Sequence, residues 1–387
     1  MSSSIDHVVI GGGLAGSMVG LKLAGAGREV VLLEKQRGAH DKVCGEFLSA
    51  EAIGYLRRAG VDAQAAGAHS IERVCLHAGR KSVNARLPFQ ALSLSRRVLD
   101  EILMETAEAA GCGVRRGAFV ERLVRSTNGF SIQMRGAETI EARNVFLATG
   151  KHDIAGQSRP AGAHRDLVGF KMHWRLAPKQ TDAIRHAMEL FLFCGGYGGI
   201  ALVENDVANL CFVIVERRMR KLGGWMGLLD AIREECPALG QILDNATPCW
   251  RKPLAISPIP YGYVAKVSDG IWRVGDQAAV IPSFTGDGMS IALHSADLAL
   301  QMFLSGRSPD EYLGRLHDDL RAGMRFATAL SRMMVTATGR LLAPAALSLA
   351  PGTIHWIAEQ TRIPARVLPK TGAGPGAAGD HLPASTS

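Results

Sequence analysis

The chain has 387 residues, of which 47% are hydrophobic and 21% charged, and this balance suits one large or two ordinary folded domains and excludes a disordered chain. Its 44 glycines follow no three-residue period, so collagen is excluded and the excess must serve turns and special backbone loops. The formal net charge is +8 with only 6% aromatic residues and no stacking motif, which argues against nucleic-acid binding.

The first third of the chain predicts a βαβ unit followed by mixed helices and strands. The βαβ unit comprises a strand at 5–10, a glycine turn at 11–13, a helix at 17–26 and a strand at 29–34. A loop is predicted next at 43–48. Further helices are predicted at 49–59 and 96–110, and further strands at 71–77, 82–87, 114–120, 130–134 and 145–148.

From Asp166 onward the pattern becomes that of an antiparallel sheet. Apolar residues from Val168 to Leu176 alternate with Gly169, Lys171, His173 and Arg175, which predicts a strand with one apolar face. Strands at 189–193, 199–203 and 209–215 follow, with a hairpin turn at Asn205-Asp206. The remainder predicts helices at 225–235, 288–304 and 311–338, a strand at 270–274, and a flexible Gly-rich and Pro-rich tail.

The cysteines and the N-terminus bear on the cell compartment. Seven cysteines, an odd number without a C-x-x-C pair, argue against a disulfide framework and a zinc site, so we predict no metal. The N-terminus lacks the basic and apolar segments of a signal peptide, and no apolar run reaches transmembrane length. We therefore predict a cytoplasmic protein without a transmembrane segment. The dense basic cluster at 217–221 is interpreted as a solvated helix start or as a peripheral membrane contact.

The glycine turn carries a nucleotide-binding fingerprint. Gly11, Gly13 and Gly16 form G-x-G-x-x-G between a predicted strand and helix, and Glu34 ends the next strand. The glycines permit a tight turn, close approach of a pyrophosphate and close helix packing, while free N–H groups at the helix start favour phosphate. Glu34 can accept a hydrogen bond from a ribose hydroxyl. The motif predicts a dinucleotide site, with Leu14, Ala15 and Lys35 as further contacts, but FAD and NAD share it.

A second glycine-rich region lies near the C-terminal third. The segment IWRVGDQAA (271–279) ends in Gly-Asp, and TGDGM (285–289) opens a helix. Here the sequence resembles the FAD-dependent monooxygenase and geranylgeranyl reductase superfamily, which has the para-hydroxybenzoate hydroxylase-like fold. The resemblance implies that Asp276 binds the ribityl or pyrophosphate part of FAD. It also implies that Gly286, Gly288 and Met289 begin a helix aimed at the flavin ring. Gln277 departs from the Asp-Ala-Ala that usually continues this motif.

Further segments support the resemblance. SRRVLD (95–100) resembles the R-x-x-L/F-D helix start, which implies a cofactor contact for Arg96. VFLATG (145–150) resembles the strand return near FAD, although Thr149-Gly150 is followed by Lys-His where aromatic hydroxylases often carry Asp-Gly. Val120 matches the position whose backbone meets adenine. KVCGE (42–46) resembles the K-x-C-G-E loop of geranylgeranyl reductase-like and halogenase-like members, which implies that Cys44 and Gly45 lie beside the flavin.

The resemblance covers roughly residues 1–340 and implies an α/β fold. We predict a Rossmann-like FAD-binding domain with an inserted antiparallel β-sheet substrate domain and C-terminal helices. The predicted FAD-binding domain comprises 1–75, 95–165 and 265–340, and the substrate domain comprises 76–94 and 166–264. A C-terminal helical segment is predicted at 341–368, and a flexible tail at 369–387.

A single G-x-G-x-x-G predicts that electrons come from transiently bound NAD(P)H or from a partner. The leading hypothesis is a monooxygenase that uses O₂ on an apolar or aromatic small molecule of specialised metabolism. Cys44, His173 and Tyr197 are its catalytic candidates, and Arg175 is a further polar group expected to face the pocket. The halogenase motif W-x-W-x-I-P is absent, and YGGIAL (197–202) departs from the reductase motif Y-x-W-x-F-P. A geranylgeranyl reductase-like ene-reductase and a non-redox prenyl-binding protein resembling GDP-dissociation inhibitors remain open alternatives.

Overall fold

Two β-sheets organise this protein. In the computed structural model, residues 4–136, 138–160, 162–163, 166–336, 338 and 352–368 are described. The strands are, in chain order, β1 (Ile5–Ile10), β2 (Val30–Glu34), β3 (Phe47–Leu48), β4 (His69–Ala78), β5 (Lys81–Ser93), β6 (Gly113–Arg116), β7 (Val120–Ser126), β8 (Gly129–Met134), β9 (Thr139–Leu147), β10 (Leu167–Arg175), β11 (Ala187–Phe193), β12 (Gly196–Val203), β13 (Val207–Val215), β14 (Thr247–Pro248), β15 (Leu254–Ile256), β16 (Tyr263–Val264), β17 (Trp272–Arg273) and β18 (Ala279–Val280).

Helices cover both sheets. They are, in chain order, α1 (Leu14–Gly25), α2 (Ala50–Arg58), α3 (Arg96–Ala109), α4 (Pro178–Ile184), α5 (Glu216–Lys221), α6 (Trp225–Glu235), α7 (Pro237–Ile242), α8 (Gly288–Leu304), α9 (Pro309–Met334) and α10 (Gly352–Thr361). The predicted tail at 369–387 and residues 341–351 of the predicted helical segment at 341–368 lie outside the described residues. The described part of that segment contains α10.

The first sheet is the Rossmann-like half of the α/β fold. Its strand order is β6-β2-β1-β9-β8-β7, and β17 pairs with β9. Strands β6, β2, β1, β9 and β17 are parallel, whereas β7, β8 and β9 form an antiparallel meander. Helices α1, α3, α8 and α9 share one buried apolar core with this sheet. This arrangement confirms the predicted fold class.

One strand prediction in this sheet was wrong. The sequence predicts a continuous strand at 114–120, but β6 ends at Arg116 and β7 begins at Val120. Gly117 lies between them with a φ of +74°, a left-handed conformation that interrupts an extended strand. The interruption lets β6 pair with β2 at one edge of the sheet while β7 pairs with β8 at the other.

The second sheet has the order β14-β10-β13-β12-β11-β4-β5-β3, with β15 also paired to β10. It is antiparallel as predicted except between β4 and β11, which pair in parallel. A parallel pair needs a long crossover, and here the segment from α3 to β10 supplies it. The domain boundary predicted after residue 75 falls inside β4 (His69–Ala78), and we propose to place it before His69, where the first long strand of the second sheet begins.

Strand β10 differs from the prediction of a single apolar face, because both of its faces are buried from Leu167 to Trp174. Phe170, Met172 and Trp174 pack beneath α6 and α7. The opposite face, which carries Gly169, Lys171 and His173, faces the loop between β2 and β3, where Lys171 pairs with Glu46. Lys171 and His173 are therefore buried between elements of the fold and do not lie on a solvated surface.

Candidate cofactor and substrate site

A cavity of about 620 Å³ lies between the two sheets. Its walls include the residues that follow the carboxyl ends of β1, β2, β9 and β17, which is where open α/β sheets bind their ligands. On its other side the second sheet contributes Gly169, Cys211 and Val213. The cavity is thus assembled from both halves of the fold.

Nearly all the predicted cofactor-binding residues meet at this cavity, although they come from eight separate stretches of the chain. Those that line it are Gly11, Gly13, Leu14, Ala15, Glu34, Lys35, Cys44, Gly45, Arg96, Val120, Thr149, Gly150, Asp276, Gly286, Gly288 and Met289. Gly16 is the exception, because it lies behind the wall. Because Gly16 has no side chain, α1 can contact the glycine turn.

The glycine turn is held by backbone contacts that exclude side chains. A Cβ atom on Gly16 would lie 1.8 Å from the Gly11 carbonyl oxygen, and one on Gly11 would lie 2.5 Å from the Ala148 carbonyl oxygen. Gly11 also has a φ of +107°, which favours glycine. The buried Glu34 carboxylate completes the turn, since it accepts hydrogen bonds from the Gly12 N–H (2.7 Å) and the Gln36 N–H (2.8 Å).

Two helices begin at the cavity wall. Helix α1 starts after Gly13 and α8 starts after Asp287, and neither N-terminus is capped by a side chain. The first N–H groups of a helix lack intrahelical partners, and the helix dipole adds positive potential there. These two ends can therefore receive the pyrophosphate and the electron-rich edge of a flavin ring, as P-loop and Rossmann sites do for phosphates.

Arg96 is fixed in place by an ion-pair network. Its Nε and Nη2 atoms donate to Asp100 at 2.7 and 2.9 Å, and Lys42 Nζ donates to the same carboxylate at 2.7 Å. Burial alone would lower the pKa of Arg96, but Asp100 raises it, so the guanidinium stays charged. The spacing of Arg96 and Asp100 thus has a physical reason: the carboxylate one helical turn on holds the arginine against the cavity.

The Gly275-Asp276 turn is tied to the strand return after β9. Lys151 Nζ lies 3.0 Å from the Asp276 carboxylate. Burial would raise the pKa of Asp276, but Lys151 holds it below its usual value. Gln277 Nε2 donates to the Thr149 hydroxyl and to the carbonyl oxygens of Gly150 and His152, each at 2.9 Å. These bonds place two predicted cofactor segments side by side.

The Cys-Gly-Glu loop lies between the two sheets. Cys44 and Gly45 line the cavity, and Phe47 approaches Gly286, where a Cβ atom would lie 2.6 Å from its ring. Glu46 is fully buried and accepts from Lys171 Nζ at 2.5 Å and from the Arg96 N–H at 2.7 Å. The sequence did not single out Lys171 because a lysine in an alternating strand normally indicates a solvated face.

The catalytic candidates have different surroundings. Cys44 faces the cavity. His173 is not among the cavity-lining residues: its Nε2 lies 3.1 Å from Glu46, and its ring stacks on Trp250 at 4.7 Å. Tyr197 is buried beside Tyr261 and Ser283, and burial raises the pKa of its hydroxyl. Arg175 is exposed, because it follows the last buried residue of β10.

A lysine side chain lies within a group of possible metal ligands. Oxygen and nitrogen atoms of Asp41, Glu46 and His173 lie within 4.8 Å of one another. However, Lys171 Nζ lies 3.1 Å from Asp41 and 2.5 Å from Glu46. Its ammonium group supplies the positive charge that these carboxylates need, so the arrangement is complete without an ion.

The end of the cavity next to the second sheet is largely apolar. Its lining includes Phe47, Val213, Leu254, Ile256, Ile259 and Ile281. The hydroxyl-bearing residues here are Tyr261 and Ser283, and Cys211 contributes a thiol. The sequence carries no periodic signal for the stretch from 254 to 261, because it consists of a three-residue strand and an irregular segment with two prolines.

The dimensions and chemistry of this site fit FAD. The long lining offers a carboxylate at one end, two uncapped helix starts, fixed cations, and glycines where backbone must come close.

The basic cluster at 217–221 lies on the surface helix α5 and is partly neutralised, because Arg218 pairs with Glu235 and Arg220 with Glu216. Among the described residues, no helix combines the length and apolar character needed to cross a membrane.

Comparison with known proteins agrees with the cofactor. A family model described as "FAD binding domain" matches residues 4–178. A menaquinone reductase from Mycolicibacterium smegmatis is 25% identical over 335 residues, which cover 80% of this chain and 79% of the relative. Digeranylgeranylglycerophospholipid reductase 1 from Methanothermobacter thermautotrophicus is 26% identical, with 81% of each chain covered.

Solved structures share the fold at low identity. The halogenase PltM in complex with phloroglucinol and FAD aligns with a TM-score of 0.73 and 15% identity, covering 90% of this chain and 81% of that one. PqsL from Pseudomonas aeruginosa, described as a probable FAD-dependent monooxygenase, aligns with a TM-score of 0.69 and 15% identity, covering 89% of this chain and 100% of that one. The superfamily resemblance and the FAD cofactor predicted from the motifs are confirmed.

The contact between Gly16 and Gly11 gives a first prediction. Gly16→Ala places a methyl group where the Gly11 carbonyl oxygen stands, so the turn must open and the start of α1 must move away. We expect FAD affinity to fall at least tenfold, a loss of about 1.4 kcal/mol, measured by titration of the apoprotein with FAD. Gly25→Ala is the matched control, since nothing lies within 4 Å of a Cβ there; equal affinity losses in both variants would refute the prediction.

Asp287 gives a second prediction. Burial raises its pKa to about 8, and Arg362 lowers it only in part. Because the folded-state pKa lies above the unfolded value, the protonated form stabilises the fold below pH 4, and this contribution is lost as pH rises toward 8. Asp287→Asn mimics the protonated acid, so its melting temperature should exceed that of the parent protein increasingly from pH 5 to pH 9. A pH-independent difference would contradict this.

Proposed function

Because this chain is an FAD-dependent oxidoreductase with the fold of the flavin monooxygenase and geranylgeranyl reductase superfamily, we propose that it is a monooxygenase. In this proposal, one oxygen atom of O₂ enters an uncharged apolar or aromatic small molecule and the other leaves as water. NAD(P)H supplies the electron pair. The observation that carries the proposed substrate class is the largely apolar end of the cavity beside the second sheet.

The chemistry of this end determines the substrate class. Its charged neighbour, Lys171, is already engaged by Glu46 and Asp41, so it is not available to bind an anionic substrate. Burial of a substrate's apolar area against these aliphatic and aromatic side chains favours binding by roughly 25 cal/mol per Å². The hydroxyls of Tyr261 and Ser283 and the thiol of Cys211 can meet one polar atom of a substrate. An apolar molecule with one oxygen or nitrogen function fits this lining.

The roles of the protein follow from the site. Bound FAD supplies the two-electron chemistry and the reaction with O₂. The start of α1 and Arg96 are proposed to hold its phosphates, Glu34 the adenosine ribose, and Asp276 the ribityl chain. The apolar walls exclude water from the reacting region, which protects reactive oxygen chemistry from side reactions. Cys44 lies at this wall and is proposed to contact the flavin or the substrate.

The electron donor is proposed to bind transiently. The sequence has one G-x-G-x-x-G, and Gly195 to Gly199 is rich in glycine but lies at the start of strand β12 rather than before a helix. A separate nicotinamide domain is therefore not expected. We propose that NADH or NADPH docks at the cavity mouth, and that the reaction takes place in the cytoplasm as part of specialised metabolism.

Reduction of a carbon–carbon double bond is the second candidate. It is favoured by the relatives named menaquinone reductase and digeranylgeranylglycerophospholipid reductase 1. An apolar cavity end is equally suited to an isoprenoid chain. In this case two electrons and two protons enter the substrate and O₂ is not consumed. A non-redox prenyl-binding role is not proposed, because the FAD-binding residues are present.

One experiment separates the two reactions. The FAD-loaded protein is incubated with NADH or NADPH and a panel of phenolic and isoprenoid molecules under oxygen-18 gas. A monooxygenase should yield a product that gains one labelled oxygen atom, whereas a reductase should yield one that gains two hydrogen atoms, detected by mass spectrometry. Turnover that continues unchanged without O₂ would reject monooxygenation.

A substitution tests the apolar end directly. Ile256→Asn places an amide on the cavity wall, and an amide facing an apolar substrate costs about 1–3 kcal/mol when unsatisfied. We expect KM to rise about tenfold while kcat changes little, because the lost interaction is uniform binding. Leu304→Asn is the matched control, since Leu304 is exposed at the end of α8. If Ile256→Asn leaves KM unchanged, the substrate lies elsewhere.

A further inference from the structure

Four titratable side chains form a buried cluster between the two sheets. Lys171 and Glu46 have no exposed side-chain area, while the side chains of Asp41 and His173 are 15% and 10% exposed. Burial would lower the pKa of Lys171, but Glu46 and Asp41 raise it. The lysine is therefore a fixed positive charge in the interior, and the chemistry proposed above does not use it.

A buried ion pair contributes little net free energy to the stability of a fold. Taking both charges out of water costs several kcal/mol per ion, and an apolar pair of similar size often stabilises as well or better. What an ion pair with further hydrogen bonds adds is a defined geometry, because each charge accepts only particular partners at particular positions. This cluster therefore fixes the relative positions of the segments that carry its four residues.

The cluster connects the second sheet to the glycine turn. Glu46 Oε1 accepts from Lys171 Nζ at 2.5 Å and from the Arg96 N–H at 2.7 Å. Arg96 in turn binds Asp100, which also binds Lys42. The Arg96 and Lys42 side chains reach the Gly13 end of the turn, where each comes within 3.4 Å of a Cβ position. A series of contacts thus runs from β10 through Glu46 to the Arg96 backbone, and from the Arg96 and Lys42 side chains to the start of α1.

The second sheet also forms a hydrogen bond to the residue on the other side of Gly45, Cys44. Asn209 Nδ2, on β13, donates to the Cys44 carbonyl oxygen at 3.1 Å. Asn209 lies opposite His173 in the strand register, so both anchors belong to one face of the second sheet. Glu46 itself has a φ of +59°, a left-handed conformation that costs energy for a residue with a side chain. Surrounding bonds must hold it there.

We propose that Lys171 is a positioning residue which, through Glu46, holds the Cys44-Gly45 segment against the flavin cavity. The sheet that lines the substrate end thereby also fixes the environment of the flavin. This inference rests on the FAD site and not on whether the substrate is oxygenated or reduced. Gly45 lines the cavity with nothing within 4 Å of its Cβ position, so a shift of this segment changes what the flavin contacts.

Two variants separate positioning from stability. Lys171→Met removes the ammonium group that pairs with the buried Glu46 carboxylate, so we expect a lower melting temperature and at least tenfold weaker FAD binding. Lys171→Met combined with Glu46→Gln removes both charges, and the glutamine amide can still accept from the Arg96 N–H. We expect this double variant to recover the melting temperature but not the visible circular dichroism or the midpoint potential of bound FAD.

Further measurements decide the outcome. Glu46→Gln alone keeps an acceptor for Lys171, so it should fold and show a smaller change in the flavin spectrum even if Lys171→Met fails to fold. Lys22→Met leaves the buried Asp297 without its ion-pair partner, between α1 and α8 and away from the cavity; it should lower the melting temperature without altering the spectrum. A double variant at 171 and 46 with the parent spectrum and potential would overturn the proposal, because the pair would then only stabilise the fold.

Discussion

The Gly11 carbonyl oxygen stands where a side chain on residue 16 would begin, and the rest of the structure depends on this contact. It lets α1 approach β1 so closely that the first N–H groups of the helix face the cavity. The Ala148 carbonyl oxygen closes the same turn from the neighbouring strand, 2.5 Å from a Cβ position on Gly11. Three backbone segments therefore touch without side chains between them, and the carboxyl ends of the parallel strands remain open to a cofactor.

The second sheet is fastened to this framework by charge rather than by apolar packing alone. Apolar residues on one face of β10 bury themselves under α6 and α7, which leaves Lys171 and His173 on the face toward the loop between β2 and β3. Their carboxylate partners come from this loop. A cavity whose far end is apolar thus has a polar, fully paired junction at its side, and this pairing keeps a free charge away from the substrate end.

Two departures from the superfamily motifs lie next to each other in the fold. Gln277 stands after Asp276, and Lys151-His152 follow Thr149-Gly150 after β9. In the fold, the Gln277 amide donates three hydrogen bonds of 2.9 Å to the turn between Thr149 and His152. An alanine at position 277 would leave those acceptors without this donor. The Gln277 side chain therefore joins the two cofactor segments in this protein.

The sequence by itself determined the parts that are local. The spacing of Gly11, Gly13 and Gly16 predicts the turn because only glycine tolerates such backbone contact, and Gly275-Asp276 predicts a second cofactor segment through its resemblance to a superfamily. Only the tertiary structure decided which face of β10 meets which neighbour. A period of two indicates that a strand has two faces, but not what covers them. The partners of Lys171 and His173, the burial of Tyr197 and the cavity wall at 254–261 all depend on segments far apart in the chain, and no local pattern encodes such contacts.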